Sequence, residues 1–335
     1  MTTKVWVGGT GSFDDPNEWS PSGVPGAGDI AIIQIGTATV EDQKLDGFRL
    51  QLQSQASVLD VSDVILEQNF TLAVSPGAGG TATLNATGFF ANKGVIDVGP
   101  SDNQPEFSPP FTVTLSDLQP SNVWGGARGV FVNEGTIRVD TGQPFAIVAQ
   151  SSDAVLINDG LVKLDAAFVQ ASLGVSVQGT GTIVTGETIT PAVSALLLAT
   201  IPSVEFGGAV GYYQNLVISG SARIQIDQPL EFHALIHGFA PLASPTSPPP
   251  YYYSFYEPEI VLENTPVTYY TVGNDVLTLW NGSSLVGQLR FTDFAYAKDN
   301  FLISTSGTTT TIEPQGTLAP LGVAAQTATA HHGLI

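Results

Sequence analysis

Hydrophobic and polar residues alternate along much of the chain with a period close to two residues. The segments Phe48–Gln53, Ser57–Val61 and Phe70–Val74 place apolar side chains at alternate positions. This alternation is typical of short β-strands that have one buried and one exposed face. A helical pattern is present only at Leu164–Leu173, where it predicts at most two turns. The pattern as a whole predicts an all-β protein.

A repeated unit, Asn-x-Gly followed by alternating aliphatic residues, narrows the choice among all-β folds. It occurs three times, with a degenerate fourth copy and a candidate fifth, at Asn92–Val98, Asn133–Asp140, Asn158–Asp165, Gly179–Val184 and Gly220–Asp227. Internal repeats of this kind are the signature of architectures in which one supersecondary unit stacks on the next.

The spacing of the repeat suggests the length of one coil. Gly94, Gly135, Gly160 and Gly181 are 41, 25 and 21 residues apart, and solenoid repeats span roughly 20 to 45 residues, so we expect coils of about 20 to 25 residues with two in the first interval. Asn and Gly tolerate the left-handed backbone of a sharp corner. We therefore expect a right-handed parallel β-helix (β-solenoid). A β-sandwich or jelly roll is the alternative, although hairpins favour a two-residue Asn-Gly turn.

The same patterns divide the chain into segments. Trp6 and Trp19 are expected to pack inside an N-terminal cap, because the first coil would otherwise expose unpaired strand edges. Three strand patterns after residue 259 predict an antiparallel β meander. The segments are an N-terminal cap at 1–36, a parallel β-solenoid at 37–238, a Pro/Tyr-rich loop at 239–258, C-terminal β hairpins at 259–315 and a flexible tail at 316–335.

Composition and charge exclude several partners. The chain has 30 Asp and Glu against 10 Lys and Arg, a net charge of -20, and no Cys. Nucleic acids are bound through clustered Lys and Arg that displace counterions, so we expect no nucleic-acid partner. The sequence contains no run of about 18 apolar residues, so we expect no membrane-spanning segment. The absence of Cys excludes disulfides and thiolate metal sites.

Two parts of the sequence resemble a known family. The phrases VFVNEGTIRVD, VLINDGLVKLD and VQGTGTIVTG resemble repeats in the passenger regions of bacterial autotransporter and hemagglutinin-like adhesins. The stretch Trp6–Phe13 with Asn17–Trp19 and Gly23–Ile33 resembles the segment that opens such solenoids in alphaproteobacterial surface proteins. The resemblance implies surface display and adhesion, and it brings no catalytic residues with it.

An aromatic cluster beside a proline run is the candidate ligand-binding region. Exposed aromatic rings stack on sugars and anchor interfaces, although a loop that covers the end of the solenoid is the alternative interpretation. The candidate ligand-binding residues are Tyr251, Tyr252, Tyr253, Phe255 and Tyr256.

Three oxygen-bearing side chains in a Gly-rich loop, Asp14, Asp15 and Asn17, are the candidate metal ligands. Calcium is the cation that such ligands suit. Their spacing matches neither an EF-hand nor the glycine-rich nonapeptide repeat, so an acidic surface without a cofactor is the favoured interpretation and calcium is the alternative.

These observations predict a non-enzymatic, secreted or surface-displayed bacterial structural or adhesive protein. We expect it to bind a glycan or a cell-surface or matrix component through its loops, with self-association as a further expectation. The first residues lack the order of a signal peptide, so we expect an extracellular location without a recognisable N-terminal signal. The alternatives are a carbohydrate-active β-helix enzyme, that is, a polysaccharide lyase or glycosidase, and a phage tail-spike or virion fibre component.

Overall fold

The chain is described by a computed structural model that covers residues 1–75, 81–99, 111–116, 129–139, 144–151, 153–164, 169–186, 201–241, 257–292 and 296–316. This part of the chain is all-β, as predicted, with 28 strands, no α-helix and two 3-10 helices at Pro16–Glu18 and Lys298–Asn300. The strands are β1 (Thr3–Trp6), β2 (Thr10–Ser12), β3 (Trp19–Ser20), β4 (Ile30–Glu41), β5 (Lys44–Leu45), β6 (Arg49–Leu66), β7 (Thr71–Ser75), β8 (Ala82–Asn92), β9 (Val95–Val98), β10 (Phe111–Ser116), β11 (Val130–Asn133), β12 (Thr136–Val139), β13 (Pro144–Ala149), β14 (Val155–Asn158), β15 (Leu161–Leu164), β16 (Gln170–Gly174), β17 (Ser176–Gln178), β18 (Thr182–Thr185), β19 (Ser203–Phe206), β20 (Asn215–Ile218), β21 (Arg223–Ile226), β22 (Leu235–His237), β23 (Glu259–Leu262), β24 (Tyr269–Gly273), β25 (Val276–Asn281), β26 (Ser284–Phe291), β27 (Phe301–Ser306) and β28 (Thr309–Pro314).

Most strands pair in parallel and form three ladders. Ladder 1 joins, in order, β1, β4, β6, β7, β9, β12, β15, β18, β20, β22 and β26. Ladder 2 joins β2, β4, β6, β8, β10, β13, β16, β19, β21 and β23. Ladder 3 joins β5, β6, β8, β11, β14 and β17, and two single bridges continue it from Val177 to Val210 and on to Phe232.

Three long strands connect the ladders into one large, mostly parallel sheet, and among the described strands this sheet does not close on itself. In β6, Arg49–Gln53 belongs to ladder 1, Ser57–Ser62 to ladder 2 and Val64–Leu66 to ladder 3. From β6 onward the chain visits ladders 1, 2 and 3 in turn and then returns to ladder 1. We call each such passage a level.

Antiparallel strands occur at both ends of the stack. Near the N-terminus β1 pairs with β3 and brings Trp6 opposite Trp19. These side chains are only 3% and 2% exposed and their rings meet edge to face at 5.1 Å, which confirms the predicted packing. Near the C-terminus β24, β25 and β26 form the predicted meander, and β28 pairs antiparallel with both β23 and β27.

The prediction of a short helix at Leu164–Leu173 is wrong for the part of this segment that the structure describes. Residues 170–174 form β16, which lies in ladder 2 between β13 and β19. Ala171 and Leu173 alternate with more exposed neighbours and point into the core. Burial at every second position fits a strand better than a helix, because a helical face would bury every third or fourth residue.

A buried column of amide side chains runs along the corner where ladder 3 passes into ladder 1. Asn92 donates from Nδ2 to Oδ1 of Asn133, which donates in the same way to Asn158, each at 2.8 Å. Asn158 then donates to Oε1 of Gln214 at 3.0 Å. All four residues are fully buried. Because a buried amide without partners is costly, this amide column fixes the register of successive levels.

The glycines of the repeat have a different role from the one expected. Gly94, Gly135 and Gly160 do not have positive φ angles, so the expected left-handed corner is wrong for them. A Cβ atom on Gly135 would overlap the carbonyl oxygen of Gly94, and a Cβ on Gly160 would overlap that of Gly135. Glycine is therefore needed at these positions because the backbones of neighbouring levels approach too closely for any side chain.

Two expectations about the repeat count are also wrong. The 41-residue interval is one level and not two coils, because Asn133 pairs directly with Asn92 and β12 pairs directly with β9. The interval contains β10, and residues 100–110 and 117–128 of it lie outside the described ranges. The candidate fifth copy, Gly220–Asp227, contains β21, which belongs to ladder 2. The strand that continues the repeat in ladder 1 is β20, and Gln214 precedes it in place of Asn.

Candidate functional surface

The predicted aromatic ligand-binding residues lie outside the described residues. This holds for Tyr251, Tyr252, Tyr253, Phe255 and Tyr256. Most of the predicted loop at 239–258 and nearly all of the predicted tail at 316–335 lie outside the described ranges as well. The aromatic cluster therefore stays a sequence-based prediction.

The candidate calcium ligands lie in the N-terminal turn and take part in its hydrogen bonds. Asp15 precedes the first 3-10 helix, and its Oδ1 accepts from the backbone N of Asn17 at 2.9 Å and from the Asn17 side chain at 3.0 Å. Asp14 accepts from the side chain of Gln43. Within the described ranges, no three His, Cys, Asp or Glu residues are grouped as a metal site. The hydrogen bonds give Asp15 a helix-capping role.

His237 is held between two polar side chains. Its Nε2 lies 3.1 Å from Oδ1 of Asn215, and its Nδ1 lies 2.8 Å from Oγ1 of Thr292. Asn215 is in the preceding level of ladder 1, whereas Thr292 follows β26. These contacts tie the last levels of the stack to the C-terminal meander.

An aromatic step lies at the outer side of the corner that contains the amide column. The turn from Gly211 to Gln214 is anchored because Gln214 is buried and its Nε2 donates to the carbonyl oxygens of Asn158 and Gln178, at 2.7 and 2.9 Å. The two central residues of this turn, Tyr212 and Tyr213, face outward and are 55% and 75% exposed. The amide column thus holds two tyrosines at the surface.

The ring of Tyr212 stacks on a side chain of the next level. Backbone N of His233 donates to the carbonyl oxygen of Val210 at 2.8 Å, which places His233 beneath Tyr212. The two ring centroids are 4.0 Å apart and the planes differ by 5°. We call Tyr212, Tyr213 and His233 the aromatic step. The rings of Tyr212 and His233 are held in place by their stacking and by the backbone hydrogen bond, and Tyr212 and Tyr213 remain largely accessible.

A second exposed aromatic pair lies on the C-terminal meander. Tyr269 and Trp280 are cross-strand neighbours in the β24–β25 hairpin, with ring centroids 5.8 Å apart and planes that differ by 5°. Tyr269 is 48% exposed and Trp280 is half-buried. The hydroxyl of Thr268 donates to the carbonyl oxygen of Trp280 and accepts from the backbone of Gly282. A rigid hairpin therefore supplies a second aromatic surface with polar groups nearby.

The electrostatics of the surface are dominated by carboxylates. Ion pairs join Arg138 to Asp97 and Arg223 to Glu259 between neighbouring levels, both at 2.9 Å. The chain has 30 acidic and only 10 basic residues, so negative charge is in large excess. Backbone hydrogen bonds from Thr2 and then Gly26 lower the pKa of Asp29 below its ordinary value. An anionic ligand would be repelled by such a surface.

Sequence reasoning missed both aromatic surfaces, although each contains a pair of adjacent aromatic residues. Tyr212 and Tyr213 are adjacent in the sequence, between the buried residues Val210 and Leu216. Two neighbouring aromatic residues cannot both point into the core of an extended strand, so at least one of them had to face outward. Tyr269 and Tyr270 are adjacent in the same way within β24, whereas Trp280 gave no such signal because it fits the alternation of its strand.

Comparison of the chain with protein-family models, with curated protein sequences and with solved structures found no match. In the described ranges no helix is long and apolar enough to cross a membrane.

Proposed function

We propose that this chain is a non-enzymatic structural or adhesive protein of the bacterial exterior that binds an uncharged glycan through its exposed aromatic side chains. The aromatic step of Tyr212, Tyr213 and His233 is the observation that carries the proposal. The resemblance of the repeat phrases to adhesin passenger regions agrees with it.

The proposed scaffold is a right-handed parallel β-solenoid in which ladders 1, 2 and 3 form three faces. Its support is the order in which the chain visits the three ladders and the direct parallel pairing of every level with the next. The right hand follows the general preference of parallel crossover connections. Such a scaffold would be stiff, because the amide column and the close glycine contacts resist sliding of one level past another.

The chemistry of the aromatic step fits sugar rings. The apolar C–H face of a sugar stacks on an aromatic ring, and tyrosine adds a hydroxyl group for hydrogen bonding. Tyr212 is already held in position by His233 and the turn is anchored by Gln214, so little side-chain entropy is lost when a ligand binds. The net charge of -20 disfavours uronate-containing or sulfated polysaccharides, and the ligand is therefore an uncharged glycan.

An array of uncharged oligosaccharides, including cello-, chito-, xylo- and manno-oligosaccharides, tests the proposal with the full chain. We expect saturable binding to at least one of these series. The double variant Tyr212→Ala/Tyr213→Ala should then lower the affinity about tenfold or more, because each stacked ring contributes about 1 kcal/mol. The matched variant Tyr212→Phe/Tyr213→Phe keeps both rings and should retain most of the affinity.

Several outcomes contradict the proposal. Binding that is unchanged in the double alanine variant would remove the aromatic step from the site. Release of new reducing or unsaturated ends from any of the glycans would show a polysaccharide-degrading enzyme, and a trimer that survives SDS would indicate a virion fibre. If no uncharged glycan binds, the proposed ligand class is wrong.

The sequence-predicted cluster is tested in parallel. A variant with Tyr251, Tyr252, Tyr253, Phe255 and Tyr256 all changed to Ala should lose affinity if these residues contribute a second contact. If the affinity of this variant equals that of the unaltered chain, the aromatic step accounts for binding without them.

A further inference from the structure

The outer face of ladder 3 is apolar over three consecutive levels. Three strand segments of ladder 3 each place one large side chain in the core. The C-terminal end of β8 contributes Phe90, β11 contributes Phe131 and β14 contributes Leu156, and all three are fully buried. The alternate residues of the same strands are also all apolar. Phe89 is exposed, Val130, Val132, Val155 and Ile157 are half-buried, and Ala91 is only 2% exposed.

Ladder 2 shows that this is not a general property of the stack. At two neighbouring levels the outward positions of β8 and β10 are occupied by hydroxyl and amide side chains only. They are Thr83, Asn85, Thr87, Thr112, Thr114 and Ser116. A strand with one face in water alternates in this way, whereas strands buried on both faces read as continuous apolar runs. The runs FFA, VFV and VLI in ladder 3 are of the second kind.

The apolar face is small and has clear borders. Levels are about 4.8 Å apart and alternate residues of a strand about 6.6 Å apart, so the three levels form a flat patch. Ile65 extends it by one level toward the N-terminus, since it pairs with Ala91. Ser176 and Gln178 of β17 end it in the other direction. Phe89, 39% exposed, is its most accessible member.

Charges along one border suggest what packs on this face. Asn92, Asn133 and Asn158 are in register, so the residues that follow them, Lys93, Glu134 and Asp159, lie one above the other on consecutive levels. A two-fold axis along β11 would exchange the first and third levels. Lys93 of one copy would then face Asp159 of the second copy, and the contact would occur twice.

We infer that the outer face of ladder 3 is an interface at which a second copy of this chain packs, with the two-fold axis along β11. Two flat apolar sheet faces pack well on one another, and the same surface serves both copies in a two-fold dimer. Val130 and Val132 lie nearest the axis and meet their own counterparts. This inference concerns association of the chain and is independent of the proposed glycan site.

The same geometry predicts one unfavourable contact. Glu134 follows β11, so it lies at the axis and faces Glu134 of the second copy. Two carboxylates brought together repel each other, and the remaining negative charge of both chains adds to this. The apolar patch comprises only seven side chains, Ile65 included, far fewer than the roughly 20 to 30 residues a side of a stable interface. The dimer is therefore weak and depends on protein concentration.

A single introduced thiol tests the interface, because the full chain contains no Cys. With a short bismaleimide, Val132→Cys should give a covalent dimer, whereas the control Thr114→Cys, on the outer face of ladder 2, should stay monomeric. Equal yields from both variants would overturn the inference. So would a trimer band, or a Val132→Cys thiol that does not react with a monofunctional maleimide, because the chain itself would then cover the face.

Charge exchange tests the orientation, measured by sedimentation of the otherwise unaltered chain. Lys93→Asp and Asp159→Lys should each lower the dimer affinity by about 3- to 10-fold, and the double variant should restore it. Glu134→Gln should raise the affinity, since it removes the repulsion at the axis. If the double variant is no better than the single ones, or if Glu134→Gln weakens the dimer, the two-fold arrangement is wrong.

Discussion

Two columns of stacked side chains share one corner of the stack, and they differ in the side of the backbone on which they lie. Inside, the amide column of Asn92, Asn133, Asn158 and Gln214 is fully buried and linked by hydrogen bonds of 2.8 to 3.0 Å. Outside, Tyr212 stacks on His233 at 4.0 Å and stays 55% exposed. Both columns form because equivalent residues of neighbouring levels lie one above the other.

The difference separates the requirements of folding from those of binding. In the core, each amide must find a partner, so the residue at each level is constrained by the level before it. At the surface, stacked rings are not needed to satisfy the backbone, and their free area is available to a ligand. We therefore expect changes at the three asparagines of the amide column to affect mainly stability, and changes in the aromatic step to affect mainly binding.

The largest effect on stability is expected from Asn133→Ala, which breaks the amide column at its centre. The change leaves Oδ1 of Asn158 without the Asn133 donor. It also removes the closer of the two oxygens that accept from Nδ2 of Asn92. The free energy of unfolding should fall by about 3 kcal/mol, measured by urea denaturation. Asn85→Ala is the matched control, because Asn85 bonds Asp60 on the outer face of ladder 2, and it should cost less than about 1 kcal/mol. Similar losses in both variants would refute a special role for the column.

The next effect is expected from Gly135→Ala, which disturbs the spacing that both columns share. The new methyl group would overlap the carbonyl oxygen of Gly94, so neighbouring levels must separate, at a cost of about 2 kcal/mol. Gly174→Ala is the control, since its Cβ would approach no atom closer than 3.4 Å. Equal melting temperatures for these two variants would contradict the close contact.

A smaller effect on stability is expected when the outer column is removed. Tyr212→Ala loses the stacking on His233 and should lower the free energy of unfolding by less than about 1 kcal/mol. Urea denaturation measures this beside Asn133→Ala. A loss as large as that of the amide variant would mean that the aromatic step is a structural element and would remove the proposed division between the two columns.

The smallest effect is expected at Asp29, a polar group outside both columns. Its Oδ1 accepts from the backbone N of Thr2 at 2.9 Å and its Oδ2 from that of Gly26 at 3.2 Å, which lowers its pKa in the folded chain. A lowered carboxyl pKa contributes stability above the unfolded pKa, and this contribution is lost as the pH falls through the folded pKa.

Asp29→Asn should therefore melt slightly lower than the unaltered chain at pH 7. The gap should narrow as the pH falls below about 4. Thermal melts followed by circular dichroism across this range measure it. A gap that widens at low pH would contradict the assigned cause of the pKa shift.

The alternating pattern was sufficient to predict short strands, because burial at every second position depends only on local geometry. The repeat located the strands of ladder 1 but not the role of its residues. Asn92, Asn133 and Asn158 lie in the core because they bond each other across levels, and no single copy reveals that partnership. The 41-residue interval was wrongly interpreted as two coils for a related reason, since the spacing between two copies does not show how many levels separate them.

The aromatic surfaces were harder to predict. Tyr212 and Tyr269 meet their ring partners, His233 and Trp280, only because of the turns and strands that lie between them in the chain. The sequence alone therefore does not show that these rings are neighbours. The dense cluster at Tyr251–Tyr256 could be predicted as a candidate site because its aromatic residues are adjacent in the sequence.

The most direct test of the account is to measure glycan affinity and unfolding on the same pair of variants, Asn133→Ala and Tyr212→Ala/Tyr213→Ala. Isothermal titration with the best-bound uncharged oligosaccharide and urea denaturation supply the two quantities. We predict that the asparagine variant is less stable but binds as the unaltered chain does while folded, and that the tyrosine variant is nearly as stable but binds about tenfold more weakly or worse. Unchanged affinity in the tyrosine variant would contradict the account.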